Sequence, residues 1–449
     1  MRFRHPDGST VHLAYCTNVH PAETLDGVLA QLRDHCEPVR RRLGRDRLGI
    51  GLWLARDAAR SLTTDPASLR ALRAELDRRG LEVVTLNGFP YEGFGADEVK
   101  YRVYRPDWTH PDRLAHTTDL ARLLAALLPE DVTEGSISTL PLAWRTPFDA
   151  EAAATARTAL TTLAGRLDAL EELTGRSIRI GIEPEPGCIV ETVADAVAAL
   201  TAAPNPNSNR NPNRVRDRDR DPSLNPGPAP SPDPSPAPDP SPAPSTSPAP
   251  SSNPAPNPRI GVCLDTCHLA TSFEDPRAAL DSLAAAGIPV PKAQLSAALH
   301  AEHPHLPEVR AALAAFAEPR FLHQTRTRTA AGLRGTDDLP EALASSDRHA
   351  TTAHGLPDAT PWRAHFHVPL HAPPVPPLSS TLPVLQDTLA LLVGGPHPRT
   401  HHLEVETYTW QALPPESRPR TRARLADGIA AELTLARDLL TDLGLKELP

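Results

Sequence analysis

The chain has 449 residues, a formal net charge of −9 and 52 prolines. That length holds one large domain or two ordinary ones, and the acidic balance argues against a protein built to coat nucleic acid. Five cysteines, at 16, 36, 188, 263 and 267, are too few and too scattered for a disulfide framework. No second cysteine pair gives Cys263 and Cys267 a zinc-ribbon spacing. The stretch from Met1 to Gly8 offers no apolar core for a signal peptide, and no uncharged apolar run approaches the length of a membrane span. A soluble protein of the reducing cytoplasm is therefore expected.

Val11-His-Leu-Ala-Tyr-Cys-Thr17 reads as the first strand and ends in the polar residues Asn18 and His20. Leu25, Val28, Leu29 and Leu32 predict a helix from Ala22 to Cys36, with Pro38 marking its end. The second strand is Leu48 to Leu54; its helix carries Leu69, Leu72 and Leu76 and stops at Gly80. The third strand runs from Leu81 to Pro90 and brings Asn87 to its end. A long loop then gathers Tyr91, Phe94, Tyr101, Tyr104 and Trp108 in a chain that has few aromatics. Such a loop is either a substrate lid or a segment pinned to the rim by its rings.

The fourth strand, Gly135 to Leu142, precedes a long amphipathic helix from Asp149 to Thr174. In the fifth strand Ile178, Ile180 and Ile182 alternate with Arg179, Gly181 and Glu183. In a barrel of parallel strands the isoleucines would pack outward on helices and Glu183 would point inward. Pro184 and Pro186 cannot donate to a ladder, so Glu183 stands at a carboxyl-terminal strand end, where such barrels hold their chemistry.

After a helix from Thr192 to Ala202, residues Ala203 to Pro258 are Pro, Asn, Ser, Ala and Asp with a charged run from Arg214 to Asp221. With almost nothing apolar to bury, this reads as a disordered, partly polyproline insertion. It parts a helix from a strand and is therefore no domain boundary. Residues 1–202 should supply strands one to five of one domain, and residues 259–449 strands six to eight and the last helix.

The sixth strand is read from Arg259 to Leu269, followed by a helix from Pro276 to Ala286, and the seventh from Val290 to Ser296. A polar segment, Ala297 to Pro361, leads to Trp362-Arg-Ala-His-Phe-His-Val-Pro369. The eighth strand is His401 to Trp410, and a final helix carries Leu425, Ile429, Leu433 and Leu440. Strands alternating with helices predict an α/β fold, a (β/α)8 TIM barrel. A doubly wound sheet competes, but no glycine-rich phosphate loop follows the first strand.

Strand ends five to eight carry Glu183, Asp265, Gln294 and Glu406. Oxygen donors of this kind suit magnesium, manganese or another hard divalent ion. His268, three residues after Asp265, could orient a substrate oxygen, and His367, with His365 and His371, could reach the same mouth. Nitrogen ligands would move the preference toward manganese, iron, cobalt or zinc. Glu404 and Glu406 share a face, so alternation does not choose between them; Glu406 is nearer the strand end. One strand-end carboxylate is ordinarily a helix cap or a solvated charge. Four donors on successive strand ends form an ordering that capping does not require.

Ile182-Glu-Pro, Leu264-Asp-Thr-Cys-His268, Lys292-Ala-Gln-Leu-Ser296 and Leu403-Glu-Val-Glu-Thr407 resemble the xylose isomerase-like TIM barrel superfamily of sugar isomerases and epimerases. The resemblance implies one divalent metal ion (manganese, magnesium, cobalt or zinc) held by Glu183, Asp265, Gln294 and Glu406. Glu183 and Glu406 would also act as acid and base, and His268, His367 and Asn87 are the candidates for binding substrate. Gln294 stands where many members have His.

Tyr15-Cys-Thr-Asn-Val-His20, Leu86-Asn-Gly-Phe-Pro90, Lys100-Tyr-Arg-Val-Tyr104, Trp362 to Pro369 and Leu403 to Trp410 are similar to the EboE family, from which the insertion departs. Those bacterial barrel proteins are named for metabolite traffic and are encoded with a membrane prenyltransferase-like partner. The reading is thus a metal-dependent isomerase or epimerase on a small polyhydroxylated or carbonyl metabolite. The alternative is a non-catalytic metabolite-binding protein working with such a membrane partner. A metal-dependent phosphodiesterase on damaged DNA shares the fold but is disfavoured by the acidic balance and by too few ligands for a multinuclear site.

Overall fold

A computed structural model describes residues 1–202, 257–344 and 356–449. Eight parallel strands close into a barrel: β1 (Thr10–Cys16), β2 (Leu48–Trp53), β3 (Leu81–Asn87), β4 (Glu134–Thr139), β5 (Ser177–Ile182), β6 (Ile260–Asp265), β7 (Lys292–Leu295) and β8 (His402–Val405). Each strand pairs with the next, and β8 returns to β1 with Leu403 opposite Leu13 and Val405 opposite Tyr15. The chain is a (β/α)8 barrel. Both sequence halves belong to one compact unit. The expected insertion lies, from 203 to 256, outside the described residues.

The barrel follows from period-two alternation. Ile178, Ile180 and Ile182, with Leu403 and Val405, are buried in the apolar layer beneath the helices. Their alternates His402, Glu404 and Glu406 turn inward. The interior is therefore polar and bonded in layers. His402 Nδ1 meets Ser136 Oγ at 2.8 Å, and Ser136 Oγ meets Thr85 Oγ1 at 2.9 Å. Further along, Lys292 Nζ lies 3.0 Å from Glu404 Oε1 and 3.2 Å from Ser138 Oγ. Gly51 makes room for this layer, since a Cβ there would come within 1.5 Å of Glu404 Oε2.

Several elements differ from the sequence reading: the eighth strand, read to Trp410, stops at Val405, and Tyr408–Gln411 is a 3-10 helix. Pro38 does not end its helix. Leu25–Gln31 passes through a π turn, Leu32–Cys36, into a further helix, Glu37–Arg42. The π turn shifts the ladder by one residue, with Glu37 N–H bonding Leu32 O, so the missing proline N–H falls where the register has already changed.

The sixth strand stops at Asp265. Thr266–Thr271 is a helix that Asp265 caps, its Oδ1 accepting from the amides of Cys267 (2.8 Å) and His268 (3.0 Å).

The polar segment after β7, with Trp362–Ala364 and Ser379–Ser380 beyond it, builds a second, antiparallel sheet. Its strands lie in the spatial order Gly332–Thr336, Thr325–Thr329, Trp362–Ala364, Leu299–Ala301 and Ser379–Ser380. Residues 345–355 of that segment lie outside the described residues.

The aromatic loop after β3 is tied to this sheet region. The amides of Val99 and Lys100 donate to Arg320 O at 2.8 and 3.0 Å, and Lys100 pairs with Asp338. These ties run through the backbone and Lys100, whereas rings of the loop, Phe94 and Tyr104 among them, line the cavity described next.

Candidate active site

Glu183 directly follows β5, Asp265 ends β6 and Glu406 directly follows β8, and a ligating oxygen from each lies within 4.8 Å of the others. All three are buried. Glu406 is the most tightly held. Its Oε1 accepts from Asn18 Nδ2 (2.6 Å) and Asn87 Nδ2 (2.9 Å), and its Oε2 from Gln294 Nε2. Asp265 directs Oδ1 to its helix cap and to Ser296 Oγ at 2.7 Å. Its Oδ2, like Glu183 Oε2, is buried without a hydrogen-bond partner.

Electrostatics match this geometry. Burial, then Glu406 and Asp265, push Glu183 well above the usual carboxylate range; burial, then Asp265 and Glu404, do the same to Glu406. Asp265 is held low. Burial works against its charge, but His268, His367 and its hydrogen bonds outweigh it. Three carboxylates this close and this dry need positive charge between them, and two of their oxygens have nothing else to meet. A hard divalent ion fits that donor set.

Gln294 stands behind Glu406. It turns its NH2 to Glu406, while its Oε1 accepts from Cys263 Sγ at 3.0 Å. It would join the ligand set only by turning its amide over. Glu404 lies one layer deeper, paired with Lys292.

Beside the carboxylates three imidazoles converge. His268 Nε2 lies 2.9 Å from His365 Nε2, which lies 3.2 Å from His367 Nε2. Burial holds His365 well below the ordinary histidine value and His367 down to about 4. Glu185, two residues past Glu183, accepts from Tyr104 Oη at 2.7 Å, and burial pushes it up to about 6. His371 stays away, stacked on Trp410 with ring centroids 5.9 Å apart.

Above these groups lies a cavity of about 60 Å³, walled by Phe89, Phe94, Tyr104, Phe321 and Tyr408, with Asn87, His268 and His367 among its lining. A larger hollow of about 550 Å³ lies at the other barrel end, where Arg2 and Arg47 pair with Glu82.

Sequence reasoning did not single out Glu185, Gln324 or Tyr408. Glu185 was signalled by the Glu-Pro-Glu-Pro run. Gln324 carries no local signal, because a tertiary contact brings it to His365.

The chain matches no protein-family model and no curated protein. The EboE resemblance therefore stands on the quoted motifs alone. Among solved structures, the chain is similar to a candidate sugar phosphate isomerase/epimerase of Anabaena variabilis, at 12% identity and a TM-score of 0.45, over 97% of this chain and 100% of the other. It is similar to the IolI protein with a bound zinc atom, at 12% and 0.42, over 96% and 99%. A xylose isomerase-like TIM barrel protein of Mycobacterium smegmatis in complex with magnesium gives 13% and 0.40, over 97% and 94%. These likenesses carry nothing about the reaction. No described helix is long and apolar enough to cross a membrane.

Proposed function

We propose that the protein is a divalent-metal-dependent isomerase or epimerase acting on a small, uncharged polyhydroxylated or carbonyl metabolite. The observation that carries this reading is the pair of buried, partnerless oxygens, Glu183 Oε2 and Asp265 Oδ2, on carboxylates that group with Glu406 within 4.8 Å. Glu183, Asp265 and Glu406 would hold the ion, which when bound supplies positive charge against a substrate oxygen.

Glu183, with a free oxygen, takes the proton from the carbon next to the carbonyl. Glu406 returns one from the other side, kept in place by Asn18, Asn87 and Gln294. His268 and His367 orient the substrate oxygens, and the aromatic roof excludes water. Among the described residues the cavity wall has one lysine or arginine, Lys100, and it is paired with Asp338; this favours a substrate without a phosphate.

The EboE-like motifs support a second reading, metabolite binding without turnover beside a membrane prenyltransferase-like partner. One experiment separates the two. Manganese-loaded protein is incubated in deuterium oxide with a panel of aldoses, ketoses and ketols, and carbon-bound deuterium is read by mass spectrometry. Catalysis predicts incorporation by wild type and at least a ~100-fold loss in Glu183→Gln with unchanged circular dichroism. Absence of exchange across the panel, together with thermal stabilisation by a panel member, favours binding without turnover.

A further inference from the structure

We propose that Glu432, on the last helix, is a positioning residue that holds Glu406 and His367 against each other at the barrel mouth. The proposal rests on the reading of Glu406 as a metal ligand and proton donor. Glu432 belongs to the helix Arg422–Asp442 and is 1% exposed. Among the described residues no lysine or arginine pairs with it, and three hydrogen-bond donors take that place. Its Oε1 accepts from Leu370 N at 3.0 Å and from Thr407 Oγ1 at 2.6 Å, and its Oε2 accepts from Trp410 Nε1 at 3.0 Å. Burial pushes the carboxyl up to about 7, against the pull of those three bonds.

The donors come from the two segments that carry Glu406 and His367. Thr407 adjoins Glu406, and Trp410 lies in the short helix Tyr408–Gln411 that follows. Leu370 is three residues past His367. The same segments touch twice more. His367 Nδ1 lies 2.7 Å from Glu406 O, and because a carbonyl only accepts, the imidazole donates. Thr409 Oγ1 donates to His367 O. Neither segment is in a strand at this point, since β8 ends at Val405 and the strand Trp362–Ala364 ends before His365. No ladder sets their spacing there. Glu432 closes a ring of contacts that runs from Thr407 through Glu406 and His367 to Leu370 and back.

A carboxylate is the group this geometry requires. Burying a charge without a counter-ion is costly, and hydrogen bonds offset that cost only when both oxygens are used. A glutamine has one acceptor oxygen. Its NH2 would face either Trp410 Nε1 or the pair at Leu370 and Thr407, so at least one buried donor would be left over. The helix is shaped for the same contact. Gly428 lies one turn before Glu432 on the same face, and a Cβ there would come within 2.5 Å of Trp410 Cη2. The indole thus rests against the helix with its N–H at the carboxylate. An apolar residue would fill the space without burying a charge; what Glu432 adds is the fixed position of three donors on two segments.

The test uses the full chain with isotope-labelled histidine. The Nδ1–H proton of His367, held by Glu406 O, is followed by NMR in the metal-free protein and identified by its loss in His367→Asn. Manganese affinity is measured in parallel. Thr407→Val and Glu432→Gln should move or broaden the His367 signal and weaken manganese binding about 10-fold, and Thr407→Ser should keep both as in wild type. Trp410→Phe removes the donor to Oε2 and leaves both bonds to Oε1. It should lower the urea midpoint while leaving the signal and the affinity unchanged, which separates position from stability. An unmoved signal or an unchanged manganese affinity in folded Thr407→Val overturns the proposal. So does Trp410→Phe acting on both readouts as strongly as Thr407→Val. Failure of the wild type to bind manganese counts against Glu406 as a metal ligand and leaves the His367 signal to decide the positioning.

Discussion

Lys292 is 0% exposed yet sits in the position of a charged group. Burial works against its ammonium, but Glu404 outweighs that and holds it above the usual lysine range. The pair is not balanced on both sides, because Glu404 Oε2 has no hydrogen-bond partner. Removing the cation would leave a bare buried carboxylate, which costs about 3–5 kcal/mol. Lys292→Met is therefore expected to lower the urea midpoint sharply, and Lys292→Met with Glu404→Gln to recover most of it. If the double variant were as unstable as the single one, packing and not charge would be the reason for Lys292. The pair also supports the site, since Lys292 and Gln294 share the inward face of β7 and Gln294 holds Glu406.

The helix Pro111–Leu127 shows how an element serves the cavity without touching its chemistry. Its Arg113 donates through Nη1 to Gly88 O (3.0 Å) and Phe89 O (2.9 Å) and through Nε to Pro106 O (2.8 Å), anchoring the aromatic loop at two points. One turn on, His116 is buried, its Nε2 has no partner, and its ring meets Tyr91 edge-on at 5.0 Å. Burial, with Arg113 adding to it, brings His116 down to about 3 from an unperturbed 6.5. The folded value lies below the unfolded one, so protonation favours the unfolded chain. This contribution is complete above pH 6.5 and is lost as pH falls toward 3. From pH 7.5 to 5, wild type should therefore lose about 2 kcal/mol more stability than His116→Leu, read from urea unfolding at both values. Equal losses would mean that His116 has no part in acid sensitivity.

For the whole molecule, closure of the ring is decisive. β8 pairs with both β7 and β1, so neither half of the chain has a complete sheet of its own. Glu183 comes from the first half, and Asp265 and Glu406 from the second. Residues 1–202 or 257–449 expressed alone would expose two unpaired edges each. Neither fragment should show a cooperative unfolding transition, while co-refolding the two should restore one together with metal binding. A cooperative transition in either fragment alone would contradict the single-domain barrel.

Much of this architecture is local and was legible residue by residue. Ile178, Ile180 and Ile182 state a strand, Pro184 and Pro186 state its end, and Gly80, at φ 63°, ends its helix as its position predicts. Such patterns depend on two to five neighbouring residues, and that is why the barrel and the strand ends carrying Glu183, Asp265, Gln294 and Glu406 could be read without coordinates. The strands of the second sheet are two to five residues long and carry no apolar alternation, so Leu299–Ala301, Thr325–Thr329 and Gly332–Thr336 were invisible in the segment from Ala297 to Pro361. Alternation placed Glu404 and Glu406 on one face; only the depth of each along the barrel, beside Lys292 or beside Asn18 and Asn87, separates them. His365 and His367 carried a spacing but no partners, because Gln324 and His268 reach them from 41 and 97 residues away. Sequence by itself determined that Glu183, Asp265, Gln294 and Glu406 lie at or just past strand ends. Tertiary structure alone decided which of their oxygens and nitrogens are left without a partner, because that depends on rotamers and contacts set by distant parts of the chain.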